Sequence, residues 1–244
     1  MLGIIGAMTE EVAQLKDMMK EPSVFQKGGM CFYKGYINDK QTVVVKCGVG
    51  KVNAAMCTQM MIDNFDVDGI INTGIAGSLN ADINIGDILI ATDALEHDMD
   101  VAGLGYGPGI IPDMDMSIFK ADERLKDMAI SVAEKAFSSA TGGELENEPQ
   151  AHDIKTFTGR VVSGDQFISS KEKKKWLIDT FGGSCCEMEG AAIAHVASLN
   201  EVPFLIIRAI SDKADDSAEM DYPTFAAKAI DNSIKLMTGI IDIY

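Results

Sequence analysis

The sequence has few of the residues on which nucleic-acid binding and membrane insertion depend. Its 244 residues include 21 Lys and Arg against 37 Asp and Glu, and the formal net charge is −16. A surface field of this sign repels phosphate backbones. No apolar run approaches the roughly 20 residues of a membrane span, and residues 1–6 are too short and uncharged for a signal peptide. We therefore expect no nucleic-acid partner, no membrane partner and a cytoplasmic location.

Metal and thiol chemistry also lack their usual sequence patterns. The three histidines, His97, His152 and His195, are scattered without an HxH or HxxxH spacing, so no zinc or iron site is predicted. The five cysteines form no CxxC pair, which is typical of reduced thiols in the cytosol. No Ser-His-Asp grouping occurs in a nucleophile elbow. We expect a site that works without a metal, and no cofactor.

The chain does contain enough apolar residues, 47%, for a sizeable core, and their spacing alternates between strand and helix patterns. Buried strands are predicted at 2–7, 68–73, 86–92, 157–162 and 202–207, and a hairpin at 30–37 and 41–47. Helices are predicted at 9–19, 52–64, 122–137, 171–181 and 223–243. No change of composition marks a boundary. We predict one α/β domain over residues 1–244, a three-layer α/β/α sandwich around a mixed, twisted sheet.

Small or polar residues follow the predicted buried strands. They lie at 6–8, 74–77, 163–165, 187–189 and 208–212. In open α/β sheets, ligands bind outside the carboxyl ends of the strands, and strand ends that converge build a concave site. We therefore expect these five segments to line one crevice.

Carboxylates without a metal suit general acid–base cleavage of a glycosidic bond. An Asp can share a proton with a leaving nitrogen base, one Glu can deprotonate water, and another can hold ribose hydroxyls. From the residues alone, however, Glu10 and Glu11 are better explained as acidic groups that complement the dipole of helix 9–19. The glycine-rich segment 48–51 lacks the first glycine and the Ser or Thr of a phosphate loop, so a tight strand-to-helix turn is the better interpretation there.

Six short motifs occur in order along nearly the whole chain. They are GIIGAM with EEV (3–12), CGVGKV (47–52), INTGIAG (71–77), VSGDQFI (162–168), EMEGAAIAHV (187–196) and VPF through RAISD (202–212). Together they resemble the bacterial-type 5′-methylthioadenosine/S-adenosylhomocysteine nucleosidases of the nucleoside phosphorylase superfamily. The resemblance implies a nucleoside phosphorylase-like fold and a small-molecule nucleoside substrate.

The resemblance also implies roles for four catalytic residues. Asp212 is expected to protonate N7 of adenine as the general acid, with Ser211 helping to place it. Glu11 is expected to activate the attacking water, and Arg208 to help order that site.

Substrate-binding roles follow from the same resemblance. Glu189 is expected to bind the ribose hydroxyls, Met188 to pack on the sugar, and Phe167 with the backbone of Ile168 to hold the adenine. The other substrate-binding residues predicted are Met8, Val49, Tyr222, Glu187, Ala76 and Gly77. The resemblance further implies a homodimer, in which the loop around Leu104 and Pro112 reaches the partner's 5′-substituent pocket.

Three features depart from the family pattern. Ile75 stands where a small hydroxyl residue is usual, Leu104 occupies a position that is often aromatic, and the polar excursion 138–153 is longer than expected. The first two bear on water placement and on selectivity for the 5′ group. The sequence therefore does not rank methylthioadenosine, S-adenosylhomocysteine, 5′-deoxyadenosine or a futalosine-type nucleoside as the substrate.

Two other functions stay open at this point. A purine nucleoside phosphorylase would use phosphate and normally has arginines near the glycine-rich turns, whereas here the first turn carries two glutamates and the second only Lys51. A non-catalytic nucleoside-binding protein would keep the fold without the chemistry. The joint presence of four residues argues against it: Glu11, Glu189, Arg208 and Asp212. We predict hydrolysis of an N-glycosidic bond, releasing adenine and a 5′-substituted ribose.

Overall fold

A computed structural model describes residues 1–137 and 154–244, and the predicted excursion at 138–153 lies outside them. The strands are β1 Leu2–Gly6, β2 Lys20–Lys27, β3 Met30–Ile37, β4 Lys40–Lys46, β5 Gly69–Ser78, β6 Ile88–Glu96, β7 Phe119–Lys120, β8 Thr156–Ser163, β9 Cys185–Glu187 and β10 Phe204–Asp212. The helices are α1 Thr9–Asp17, α2 Lys51–Asn64, α3 Glu123–Phe137, α4 Lys171–Phe181, α5 Gly190–Leu199 and α6 Ala218–Ile243.

The strands form one mixed sheet in the order β10-β6-β8-β9-β5-β1-β4-β3-β2, with β7 paired to β6. Because β5 also pairs with β10, the half of the sheet from β5 to β10 closes into a ring. In the other half, β1 lies parallel to both β4 and β5. The predicted α/β class and mixed sheet are confirmed.

Helices cover both faces of the central strands. Alternate residues of β1 point to opposite faces: Ile4 belongs to a core cluster with Val12 and Leu15 of α1, whereas Ile5 packs in a second cluster with Cys57 and other residues of α2. On the first face α1, α3 and α6 pack together, and on the second α2 packs against α5. This arrangement is the predicted three-layer sandwich.

The predicted hairpin is confirmed, but a strand that precedes it was missed. β3 and β4 pair antiparallel around Asn38 and Asp39, whose φ angles of 48° and 60° are those of a tight hairpin turn. β2 then adds to the outer edge of β3. Every residue of β2 is exposed, so it carries no burial pattern that a sequence analysis can detect.

Three central strands continue past their predicted ends. β5 runs to Ser78, β6 to Glu96 and β10 to Asp212, so the small and polar residues expected in turns lie within strands. The ladder between β5 and β10 continues through this region, pairing Arg208 with Gly74 and Ile210 with Ala76. These polar residues are therefore held by main-chain pairing on the edge of the site.

Two further observations concern the rest of the described chain. All five cysteines are free thiols. Among residues 1–137 and 154–244, no helix combines the length and apolar character needed to cross a membrane.

Candidate active site

The predicted strand ends meet around a cavity of about 450 Å³. Its wall includes every predicted site residue except Arg208, Leu104 and Pro112. The predicted residues on the wall are Met8, Glu11, Val49, Ala76, Gly77, Phe167, Ile168, Glu187, Met188, Glu189, Ser211, Asp212 and Tyr222. The sequence therefore located the crevice.

Other wall residues were not predicted as site residues: Ala7, Ile75, Gln166, Cys186, Glu219 and Pro223. Ile75 and Gln166 lie inside motifs that had been recognised. Glu219 was missed because the last helix was expected to begin at Pro223, whereas α6 begins at Ala218 and contains that proline. Cys186 is buried at the cavity wall.

Glu11 is held by main-chain donors rather than exposed at a helix end. Its Oε2 accepts hydrogen bonds from the N–H of Ala7 at 2.7 Å and of Met8 at 2.9 Å, and its Oε1 accepts one from Ile75 at 3.2 Å. A Cβ at Gly74 would lie 2.7 Å from Oε1, so glycine is needed there. The prediction that Glu11 complements the dipole of the first helix holds only in part. Glu11 does cap α1, but its carboxylate also accepts a hydrogen bond from β5.

The surroundings of Glu11 suit a general base. Burial raises the pKa of its carboxyl, although the Met8 N–H and the charge of Arg208 oppose the rise. A carboxylate with a raised pKa is a better proton acceptor than an exposed one. Its position on the cavity wall allows it to take a proton from a bound water.

Arg208 lies behind the wall and pairs with Glu187. One guanidinium nitrogen donates to Glu187 Oε2 at 2.5 Å and also to the side chain of Asn72, while the other donates to the carbonyls of Asn72 and Ile207. The arginine is 2% exposed. Its charge is therefore used within the protein and does not face the cavity.

Glu187 is fully engaged by protein donors. Besides Arg208, its carboxylate accepts the hydroxyl of Ser163 and the N–H groups of Glu189 and Gly190 at 3.1 and 2.8 Å, at the positive end of α5. Burial would raise the pKa of Glu187, but Arg208 and the hydroxyl hold it below its usual range. Glu187 thus stays ionised and braces the wall.

Glu189, two residues later, presents the opposite case. Its Oε1 accepts the N–H of Gly50 at 2.7 Å, and the residue caps α5. Burial, followed by the negative charge of Glu187, raises the pKa of Glu189 to about 7. Two neighbouring carboxylates with pKa values pushed apart are a common feature of sites that move protons.

Asp212 lies at the end of β10 with two hydrogen bonds. Its Oδ2 accepts the Ser211 hydroxyl at 2.8 Å, and its Oδ1 accepts the N–H of Ala214 at 2.8 Å. Burial raises its pKa despite these bonds. A carboxyl group that is more easily protonated than usual suits a general acid.

Aromatic and apolar side chains form the mouth of the cavity. Phe167 is 50% exposed and meets Tyr222 edge-to-face, with ring centroids 5.9 Å apart. The Tyr222 hydroxyl donates to the Met8 sulfur at 3.2 Å. Flat apolar surfaces of this kind can hold a purine ring and the apolar part of a 5′ substituent.

Leu104 and Pro112 lie away from the cavity of their own chain. Leu104 sits on a single 3₁₀ turn, Ala102–Leu104, and is 76% exposed. Their predicted contact with a 5′ substituent requires a second copy of the chain, and it stays a prediction.

Comparison with known proteins finds relatives that match nearly the whole chain. The family described as the phosphorylase superfamily matches residues 1–242. The 5′-methylthioadenosine/S-adenosylhomocysteine nucleosidase of Staphylococcus carnosus is 38% identical over 242 residues, which cover 99% of each protein.

Solved structures give the same result. The 5′-methylthioadenosine/S-adenosylhomocysteine nucleosidase from Neisseria meningitidis, crystallised with methylthio-immucillin-A, has a TM-score of 0.89 and 34% identity, covering 100% of this chain and 99% of that one. The futalosine hydrolase of Helicobacter pylori has a TM-score of 0.88 and 33% identity, covering 100% and 97%. With a cavity, a sheet and a full-length sequence match that agree, the chain belongs to the phosphorylase superfamily and, within it, to the 5′-methylthioadenosine/S-adenosylhomocysteine nucleosidases.

Proposed function

We propose that the protein hydrolyses the N-glycosidic bond of 5′-methylthioadenosine and S-adenosylhomocysteine, and also accepts 5′-deoxyadenosine. The products are adenine and the 5′-substituted ribose. One observation favours hydrolysis over phosphorolysis: every charged residue on the cavity wall is a carboxylate, namely Glu11, Glu187, Glu189, Asp212 and Glu219. A water molecule is accepted in such a cavity, whereas a phosphate ion is repelled.

Arg208 and Lys51, two cations that lie behind the cavity wall, are both engaged by carboxylates. The guanidinium of Arg208 is paired with Glu187 behind the wall. The ammonium of Lys51 is paired with Glu96 and Asp98 at 2.8 and 2.6 Å. Phosphate would therefore have to break a buried ion pair to find a counter-charge.

In the proposed reaction, water attacks C1′ as the C1′–N9 bond breaks through an oxocarbenium-like transition state. Glu11 takes the proton from the water, and Asp212 gives a proton to N7, so that adenine leaves as a neutral molecule. Glu189 accepts hydrogen bonds from the ribose hydroxyls and stabilises the positive charge that develops on the sugar. Met188 packs on the sugar, and Phe167 with Ile168 holds the base.

Further parts of the proposal concern the setting of the enzyme. We propose that residues 1–244 act as one nucleosidase domain, in the cytoplasm, within methionine salvage. We also propose a homodimer, in which Leu104 and Pro112 complete the 5′-substituent pocket of the partner. The exposure of the large apolar side chains Leu104 and Val52, at 76% and 78%, supports a surface that another copy covers.

The test is adenine release from 5′-methylthioadenosine in phosphate-free buffer. We expect release that is unchanged when phosphate is added, and a 5′-thio sugar with a free 1-hydroxyl rather than a sugar 1-phosphate. Parallel assays with S-adenosylhomocysteine, 5′-deoxyadenosine and futalosine rank the 5′ substituents. Release that depends on added phosphate would establish a phosphorylase instead, and binding without release a non-catalytic nucleoside-binding protein.

A further inference from the structure

The glycine-rich segment between β4 and α2 contacts the cavity through its main chain and not through its lysine. The N–H of Gly50 donates to Glu189 Oε1 at 2.7 Å. The side chain of Lys51 extends instead to Glu96 and Asp98. The reaction proposed above gives these three side chains no role.

A closed set of hydrogen bonds joins this segment to the loop that carries Phe167. Asp98 accepts the Lys51 ammonium on Oδ1 at 2.6 Å and the N–H of Asp165 on Oδ2 at 2.9 Å. Asp165 in turn accepts the N–H of Lys51 at 2.8 Å. We call Lys51, Glu96, Asp98 and Asp165 the Lys51 network.

Glu96 anchors the network to the sheet and to α5. Its Oε2 accepts the Lys51 ammonium at 2.8 Å, and its Oε1 lies 3.1 Å from Nδ1 of His195, whose ring stacks on Phe119 at 4.7 Å. The hydrogen bond from His195, with Lys51, lowers the pKa of Glu96 to about 2. The carboxylate is therefore ionised at every pH at which the enzyme would be assayed.

The backbone at Gly50 leaves little freedom for any other arrangement. Its φ is 98°, a value that favours glycine, and a Cβ there would lie 3.0 Å from Asp165 Oδ1. The turn is therefore built on glycine, with the Asp165 carboxylate packed against Gly50 while the Gly50 N–H donates to Glu189.

We propose that Lys51 is a positioning residue, which acts through Asp98 and Asp165 to hold the Gly50 N–H on Glu189 and so orient that carboxylate toward the ribose. The inference rests on the proposed function, because it gives Glu189 the ribose hydroxyls. Lys51 itself is not part of the cavity wall.

The network has a measurable consequence for Glu189. The Gly50 N–H lowers the pKa of Glu189 against burial, while Glu187 and Glu11 raise it and Arg208 lowers it. Those three groups are held by other contacts and stay in place when the turn relaxes. Loss of the Gly50 hydrogen bond is expected to raise the pKa by about one unit, the usual worth of a hydrogen bond to a charged group.

The decisive experiment measures the pKa of Glu189 in Lys51→Gln and Asp165→Ala. Carboxyl NMR of protein labelled at Glu gives the pKa directly, with Glu189→Gln to assign the signal, and the acidic limb of kcat/KM against pH gives the same free-enzyme pKa through activity. Both variants should move the pKa and the limb upward by about one unit. At pH 9, where Glu189 is ionised in all forms, the variants should differ from wild type mainly in KM.

Asp165→Ala separates positioning from simple charge. Removing a negative charge near Glu189 would by itself lower its pKa, whereas release of Gly50 raises it, so the direction of the shift decides between them. Lys46→Gln is the matched control, since Lys46 is exposed and its ammonium donates to the Thr9 hydroxyl at 3.4 Å, outside the Lys51 network. It should leave the pKa unchanged, and Lys51→Arg should restore most of the wild-type value.

The outcomes separate the two proposals. A pKa of Glu189 that is unchanged in Lys51→Gln, or that falls in Asp165→Ala, overturns the positioning role. If Lys51→Gln does not fold, Asp165→Ala alone decides, because it leaves the Lys51–Glu96 pair intact. Absence of adenine release from the wild-type protein would instead overturn the proposed function, while the NMR titration would still test the network.

Discussion

Glu187 and Asp212 are both buried carboxylates on the wall of the same cavity, yet their surroundings differ in one decisive respect. Glu187 has a cation, Arg208, within 2.5 Å, whereas the hydrogen-bond donors to Asp212 among the described residues are a hydroxyl and a main-chain N–H. The pKa of the first is held down and that of the second is raised by burial. Glu187 therefore stays ionised, whereas Asp212 can carry a proton.

This difference shows how carboxylates on one cavity wall can have different roles. A buried charge is tolerated when a cation and hydrogen bonds compensate it, and such a carboxylate holds structure. A buried carboxyl group without a cation titrates closer to neutrality, and it is available for proton transfer. By this criterion Glu187 supports the site, while Glu11, Glu189 and Asp212, whose pKa values burial raises, are the groups that we propose for its chemistry.

The largest effect is expected when the proton-carrying group is removed. Asp212→Asn should lower kcat by about 10²–10⁴-fold, the usual contribution of a positioned acid. The free energy of unfolding should hardly change, because the amide oxygen can still accept one hydrogen bond. Steady-state assays and thermal unfolding check both parts. Activity within a few-fold of wild type would show that Asp212 is not the general acid, and the contrast drawn with Glu187 would no longer hold.

Removal of the Arg208 guanidinium should have the opposite effect, lowering mainly the free energy of unfolding. Arg208→Met leaves Glu187 buried without its partner, which typically costs about 3–5 kcal/mol of unfolding free energy. Denaturant unfolding measures the loss. Arg124→Met is the control, because Arg124 is a partner of Met128 and Tyr244 near the surface and should cost less than about 1 kcal/mol. Equal stability of the two variants would show that Glu187 does not depend on its cation.

The acidic limb of the pH profile tests the third carboxylate, Glu189. If its ionised form holds the ribose, kcat/KM should fall by about tenfold per unit below pH 7, because its pKa is about 7. The stability contribution has the opposite sign. A raised folded-state pKa stabilises most below the unfolded value near 4.5, and that stabilisation is lost as pH rises through about 7. A profile that is flat from pH 5 to 8 would contradict this assignment.

The smallest effect is expected at Ser211. Its hydroxyl lowers the pKa of Asp212, so Ser211→Ala should raise that pKa and move the alkaline limb of kcat to higher pH. A neutral-donor hydrogen bond of this kind is worth about 1 kcal/mol, so kcat at neutral pH should change by only a few-fold. An alkaline limb that moves downward would mean that Ser211 orients Asp212 without tuning it.

Much of this arrangement could be predicted because it leaves a pattern in the sequence. Central strands such as β1 and β10 are buried on both faces and appear as continuous apolar runs. The hairpin turn requires Asn38 and Asp39 at positive φ. The polar residues after these runs therefore located the cavity before any geometry was known.

The division of labour among the carboxylates could not be predicted in the same way. Glu187 and Glu189 are both glutamates beside one methionine, and only the positions of Arg208 and Gly50 in space distinguish them. The role of Lys51 could not be predicted, because its two carboxylate partners lie 45 and 47 residues away in the chain. β2 was missed because a fully exposed edge strand has no apolar periodicity.

The three donors that hold Glu11 all belong to the main chain, at Ala7, Met8 and Ile75. Their side chains can change without removing a single one of these hydrogen bonds, although all three residues also shape the cavity wall. Glu11, which we propose as the base, is therefore held independently of substitutions that alter which substrate fits. Such a site can diverge toward new nucleosides by single mutations, each of which passes through a form that retains its base.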